Sequence, residues 1–117
     1  MQMPKPSEML SATFDGIVSQ FETIVQKKVV GCPSAFVNGN MFASVFGDRV
    51  TVKLSEADQE EALGAGGEPH MPLGRRMKEY VSLSEETNGD PAALEAWIRR
   101  GLDYVGTLPP KQPKKRR

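Results

Sequence analysis

The chain has one cysteine, one histidine and one tryptophan among its 117 residues. A single Cys32 rules out an internal disulfide, so nothing in the fold is expected to need an oxidising compartment. With His70 as the only histidine, Cys and His are too few for a structural zinc site within one chain. Long apolar runs are also missing. None approaches the roughly 18 residues of a membrane span, and the opening MQMPKPSEML has no uninterrupted apolar segment of the signal-peptide kind. No membrane contact and a cytoplasmic location are the expectations. Gly64, Gly66 and Gly67 lie close together, but the G-x-x-x-x-G-K-[ST] pattern is lacking and Glu68 would repel phosphate, so no cofactor is expected there.

Net charge is absent as well, with 15 basic against 15 acidic residues, but the balance is uneven along the chain. Five bases (Lys111, Lys114, Lys115, Arg116 and Arg117) fall in the last seven positions, which leaves a body of about −5 and a basic tail. An apolar content of 38% over this length supports one domain, able to bury roughly 65% of its unfolded surface. Residues 1–8 read as a flexible lead-in, 9–108 as the domain and 109–117 as a disordered tail.

Ser34 to Leu54 reads as two successive hairpins with turns at Asn38-Gly39 and Gly47-Asp48. Asn-Gly tolerates positive φ at both central positions of a type I′ turn, which matches the twist of the flanking strands. Counting outward pairs Val45 with Val50, Ala43 with Val52, Met41 with Leu54 and Phe36 with Met41, and sets these side chains on one core face. The other face then carries Val37, Phe42 and Phe46 as a contiguous apolar strip, the candidate interface, since exposed strips of this kind mark docking surfaces. The competing reading is that the Gly-rich loop or the N-terminal arm covers the strip.

Leu10, Phe14, Ile17, Phe21 and Ile24 recur at helical spacing behind a Ser7 N-cap, which predicts a first helix ending near Gln26. Lys27 to Pro33 is the junction into the sheet. Ser55, with Asp58 three residues on, caps a short acidic helix ending by Gly64. Gly64 to Gly74 is a loop, with room for an extended piece around His70 and Met71, and MKEYVSL alternates as a last strand. SEETNGD reads as a polar turn. Asp90-Pro91 opens a final helix with an apolar stripe at Leu94, Trp97, Ile98, Leu102, Val105 and Leu108, stopped by Pro109-Pro110. The fold class is therefore α+β: helix, three-stranded antiparallel meander, helix, one or two strands, helix, with the first and last helices on the Val45/Val52 face.

AFVNGNMFASVFGDRVTVKL, EPHMPLGRRMKEYVSL and DPAALEAWIRRGL, in this order, resemble the N-terminal domain of the TfoX/Sxy competence regulators over about residues 10–106. The resemblance rests on Asn38-Gly39, Met41-Phe42-Ala43, Lys53, the run of Pro72, Gly74, Met77 and Tyr80, and the helix from Asp90-Pro91 through Leu94 and Trp97. It implies a fold similar to type III secretion chaperones and brings no catalytic residues with it. It does not extend to the family's C-terminal domain.

Individual residues add little chemistry. Catalysis by Cys32 would need a base such as His70, from a separate loop, to lower the thiol pKa; a lone cysteine is more often a small apolar residue. Glu56, Asp58, Glu60 and Glu61 could hold a cation, but an exposed helix face explains them equally. The tail could bind nucleic acid weakly through phosphates, without reading sequence. The expected function is a non-enzymatic regulatory or protein-interaction module, homodimeric or bound to a protein partner.

Overall fold

The computed structural model describes residues 7–29, 32–70 and 79–108. Its elements are α1 (Glu8–Val18), β1 (Val25–Val29), β2 (Cys32–Val37), β3 (Asn40–Phe46), β4 (Arg49–Lys53), α2 (Glu56–Gly64), β5 (Glu68–Pro69), β6 (Tyr80–Ser82), α3 (Glu85–Asn88) and α4 (Pro91–Gly106). The strands form one antiparallel sheet in the order β1-β2-β3-β4-β6-β5, which is the α+β class expected. Two elements go beyond the expected order: the edge strand β1, and the single helical turn α3 where a polar turn was read.

Each helix start is locally encoded. Ser7 accepts from Leu10 N, Ser55 from Asp58 N, and Asp90 from Ala92 N and Ala93 N ahead of a proline at the first helical position. The first helix is shorter than its apolar stripe suggests. After Val18 the hydrogen bonds tighten to three-residue spacing (Gln20 N to Ile17 O, Phe21 N to Val18 O, Ile24 N to Phe21 O), and Thr23-Ile24-Val25 is a β-branched run that favours strand over helix. Ile24 is buried and Phe21 packs on the core all the same, so the stripe marked burial correctly while the backbone changed state.

The Asn38-Gly39 turn has the positive φ values its residues predict, 53° and 79°, and Phe36 pairs with Met41. Val45 pairs with Val50 and Ala43 with Val52, as counted from the second turn. Between those pairs the register of β2 and β3 shifts. Ala35 lies opposite Ala43 rather than Phe42, so Phe42 is an extra residue in β3. Such a bulge puts two consecutive side chains on one face. Phe42 and Ala43 both turn to the helices, and relative to the unbulged count the facing of every residue before the bulge, from Met41 back through β2, reverses.

The expected candidate interface is corrected accordingly. Phe42 is fully buried and Val37 is 5% exposed, both within the core with Val45, Val50 and Val52. Only Phe46 stays on the opposite face. Phe36 and Met41, placed in the core by the unbulged count, are instead half-buried on that opposite face. α1 and α4 pack on β2, β3 and β4 as expected, with Leu10, Phe14, Ile17 and Val18 from the first and Leu94, Ile98 and Val105 from the second in the same core.

α4 approaches the sheet very closely at Gly101, where an added Cβ would lie 2.4 Å from Val52 Cγ1. At the opposite end of the core α3 acts as a clamp: Asn88 Oδ1 accepts from Val50 N at 3.1 Å while its amide donates to Leu83 O at 3.2 Å. Of MKEYVSL, the described part is strand over Tyr80–Ser82; Met71, Pro72, Gly74 and Met77 lie outside the described residues, as do Lys111, Lys114, Lys115, Arg116 and Arg117.

Candidate functional site

The helix-free face of the sheet is where chemistry-bearing side chains gather. A small polar row runs across it through the pairs Ser34–Ser44, Ser44–Thr51 and Thr51–Ser82. Ser34, Ser44 and Thr51 are buried even though the helices lie on the other side. Their hydroxyls are used locally: Ser34 Oγ donates to Cys32 O at 3.0 Å and Thr51 Oγ1 to Ser44 O at 3.4 Å.

His70 lies over this row. It follows β5, its N–H donates to Tyr80 O at 3.3 Å, and its ring meets Phe46 edge-on with centroids 4.9 Å apart. β6 and β4 lie between β5 and β3 in the sheet order, so a flat sheet would hold the two backbones three intervals, roughly 14 Å, apart. The ring contact therefore requires this face to be concave. Tyr80 spans the same hollow, with its hydroxyl donating to Met41 O at 2.9 Å and Lys53 Nζ 6.0 Å from its ring centroid.

Burial decides the acid–base character here. His70 is 8% exposed, and loss of solvation pushes its pKa below the usual histidine value, so the neutral imidazole is favoured. Tyr80 is pushed up to about 12, by burial first and by the neighbouring Glu79 charge second. Burial also raises the Cys32 thiol, the reverse of what a nucleophilic thiolate needs, and among the described residues no hydrogen bond joins Cys32 to His70. Phe46 is thus partly covered from within by His70, a residue of the Gly64–Gly74 stretch, and stays half-buried.

Glu79, which no sequence pattern singles out, is a second node. It holds φ 76°, a region that costs a non-glycine residue about 1–3 kcal/mol. Three contacts hold it there: its carbonyl accepts from Leu54 N at 2.8 Å, its carboxylate from the Tyr104 hydroxyl at 2.6 Å, and Lys53 Nζ lies 3.9 Å away. The bond to Glu79 raises the Tyr104 pKa. The acidic helix α2 is tied down too, with Arg100 of α4 reaching Glu61 at 2.9 Å and Asp58 at 3.4 Å while stacking 4.4 Å from the Trp97 ring centroid. No group of three or more His, Cys, Asp or Glu side chains placed to hold a metal is found among the described residues.

At the β1 end of the concave face lies a cross-strand row formed by the pairs Val25–Phe36 and Phe36–Met41. Val25 is 52% exposed, and Lys27 Nζ lies 5.6 Å from the Phe36 ring centroid. β1 is an edge strand, and Val25, Gln26, Lys27 and Lys28 are all exposed. This row is partly exposed and apolar, and it consists of residues other than Val37, Phe42 and Phe46. Because the expected sequence order held no β1, Val25 and Lys27 could not be placed beside Phe36 in advance.

The arrangement defines an α+β domain with two long helices on one face of a curled six-stranded antiparallel sheet and an aromatic hollow on the other. The chain belongs to the TfoX N-terminal domain family, whose sequence model matches residues 16–105. Neither a curated protein nor a solved structure matches it. The family points to a competence-related regulatory domain. No helix among the described residues is long and apolar enough to cross a membrane.

Proposed function

We propose that this domain is a regulatory module that acts by binding another protein chain rather than by catalysis, and that it binds through the β1 end of its sheet. The observation that carries the reading is the Val25–Phe36–Met41 row, partly exposed beside a sheet edge that no other strand pairs with among the described residues. Edge strands offer unpaired backbone donors and acceptors, and an adjoining apolar row supplies the area that makes pairing favourable. The buried, high-pKa Cys32 and the ring-packed neutral His70 support a binding role over a catalytic one.

The test uses the surface position Val25, where substitution leaves the core intact. Sedimentation of the full chain and of Val25→Asp across protein concentration reads self-association, and protection of the β1 amides against hydrogen exchange reads whether the edge is occupied. Self-association lost in Val25→Asp, or β1 protection that grows with protein concentration in the parent alone, supports the reading. A monomer whose β1 amides exchange freely at every concentration, together with a family-dependent regulatory phenotype that Val25→Asp leaves untouched, sinks it.

The basic tail favours a second reading, weak nucleic-acid contact through Lys111, Lys114, Lys115, Arg116 and Arg117. Removing residues 109–117 should abolish retention on DNA at low salt; retention that survives the deletion rejects it.

A further inference from the structure

The partner's chemistry can be taken further, on the basis of the binding reading above. The described residues include all 15 acidic side chains of the protein but only six basic ones. Four of those six are neutralised in place: Arg49 lies 3.3 Å from Glu68, Lys53 3.9 Å from Glu79, Arg99 3.1 Å from Glu95, and Arg100 2.9 Å from Glu61. The other two, Lys27 and Lys28, are consecutive on β1 and form no ion pair among the described residues. Among the described residues, unpaired positive charge is thus confined to the edge strand β1, on a body that carries more acidic than basic side chains.

Lysines on an edge strand also discourage sheet-to-sheet aggregation, and that role alone would ask nothing of a partner. The surroundings of the pair ask for more. Lys27 shares a face with exposed Val25 and lies over Phe36, whereas Lys28, paired with Pro33, falls on the helix side; both lysines line one cavity of about 260 Å³ that wraps this edge, together with Asp15, Gln26, Pro33 and Ser34. Successive side chains of a strand point to opposite faces. A strand added antiparallel to β1 therefore places one residue opposite Val25, the residue two positions earlier opposite Lys27, and the residue three positions earlier opposite Lys28. Opposite charges facing across strands and an apolar pair beside them each stabilise the pairing by roughly 0.2–1 kcal/mol.

We infer that β1 receives an extended segment of a partner protein by antiparallel strand addition, and that this segment has the pattern acidic, acidic, any residue, apolar. Backbone hydrogen bonds from the β1 edge supply affinity, the two lysines read the acidic pair on both faces, and the Val25–Phe36 surface receives the apolar residue. A second copy of β1 is the less favourable occupant, because it would bring four lysines to one seam on two acidic bodies.

The experiment uses the full chain and the peptides acetyl-TVEETVT-amide and acetyl-TVKKTVT-amide, with binding read by NMR titration of the backbone amides. The inference expects the acidic peptide to shift β1 and β2 amides saturably. It expects the lysine peptide to bind at least tenfold more weakly, a proline in place of the central threonine to abolish binding, and Lys27→Glu/Lys28→Glu to invert the preference between the two peptides. Equal binding of both peptides, shifts confined to other elements, or no binding overturns it. If the acidic peptide fails to bind while self-association is lost in Val25→Asp, the partner pattern falls, a second copy becomes the occupant, and the binding surface stands. If both measurements are blank, the surface falls with it.

Discussion

Alanine at Gly101 separates the packing account of this fold from intrinsic helix preference, because the two predict opposite signs. In an unhindered helix interior the change from glycine to alanine is worth about 0.8–1.0 kcal/mol of stability. At Gly101 the new methyl would sit 2.4 Å from Val52 Cγ1, 3.1 Å from Lys53 O and 3.3 Å from Phe42 Cδ2. Carbon atoms pack best at roughly 3.5–4.0 Å, so the helix must lift by more than an ångström or Val52 must turn. Val52 is fully buried and its χ1 is stiff, and the second neighbour is backbone, so neither gives way cheaply. Overpacking costs typically about 1–3 kcal/mol, and this contact belongs at the upper end. The net is a loss of about 2 kcal/mol. At roughly 2.1 cal/mol/K of unfolding entropy per residue, a chain of this length loses about 8 °C in melting temperature.

Gly16 in α1 is the internal control, since an added Cβ there meets nothing within 4 Å. Thermal unfolding followed by circular dichroism should show Gly101→Ala melting lower than the parent and Gly16→Ala level with it or higher. Adding Val52→Ala to Gly101→Ala should recover part of the loss, because the new methyl then occupies the vacated volume; the double variant should be more stable than the sum of the singles by about 1 kcal/mol or more. A Gly101→Ala protein that melts as high as Gly16→Ala would refute the close approach of α4 to the sheet.

His70 makes a pH prediction whose sign follows from its lowered pKa. The unfolded chain takes up the proton first as pH falls below about 6.5, so stability is full above that value and declines below it until the folded imidazole also protonates. His70→Gln should flatten that part of a stability-against-pH curve, and an unchanged slope would count against burial of the ring. Asn88→Ala removes the acceptor from Val50 N and should cost about 1–3 kcal/mol in denaturant unfolding; a smaller loss would mean water replaces the amide there. Tyr104→Phe breaks the bond to Glu79 and should speed exchange of the Leu54 amide, which donates to the Glu79 carbonyl. Cys32 should react with an alkylating reagent more slowly in the folded protein than in denaturant, and the opposite order would reopen a catalytic reading.

The features legible in the sequence are those that act over a few residues. Asn38-Gly39 encodes positive φ by itself, Ser7, Ser55 and Asp90 each cap the helix immediately after them, and the Leu94–Val105 stripe identifies the buried side of the last helix without reference to the rest of the chain. The family resemblance was also legible, since it depends on the order of those local signals.

The candidate site was not legible, for two physical reasons. An extra residue at Phe42 reverses which residues of β2 and β3 face the helices, and nothing in SAFVNGNMFASVF distinguishes a bulged from an unbulged ladder, because either register offers alternating apolar side chains. The edge strand β1 begins within what reads as a helical stripe, and Val25 meets Phe36 only because β2 is there to pair with it. Local conformation and burial tendency belong to the sequence alone. Which face a side chain takes, and which strand is left with an open edge, were decided only when the whole sheet closed on its helices.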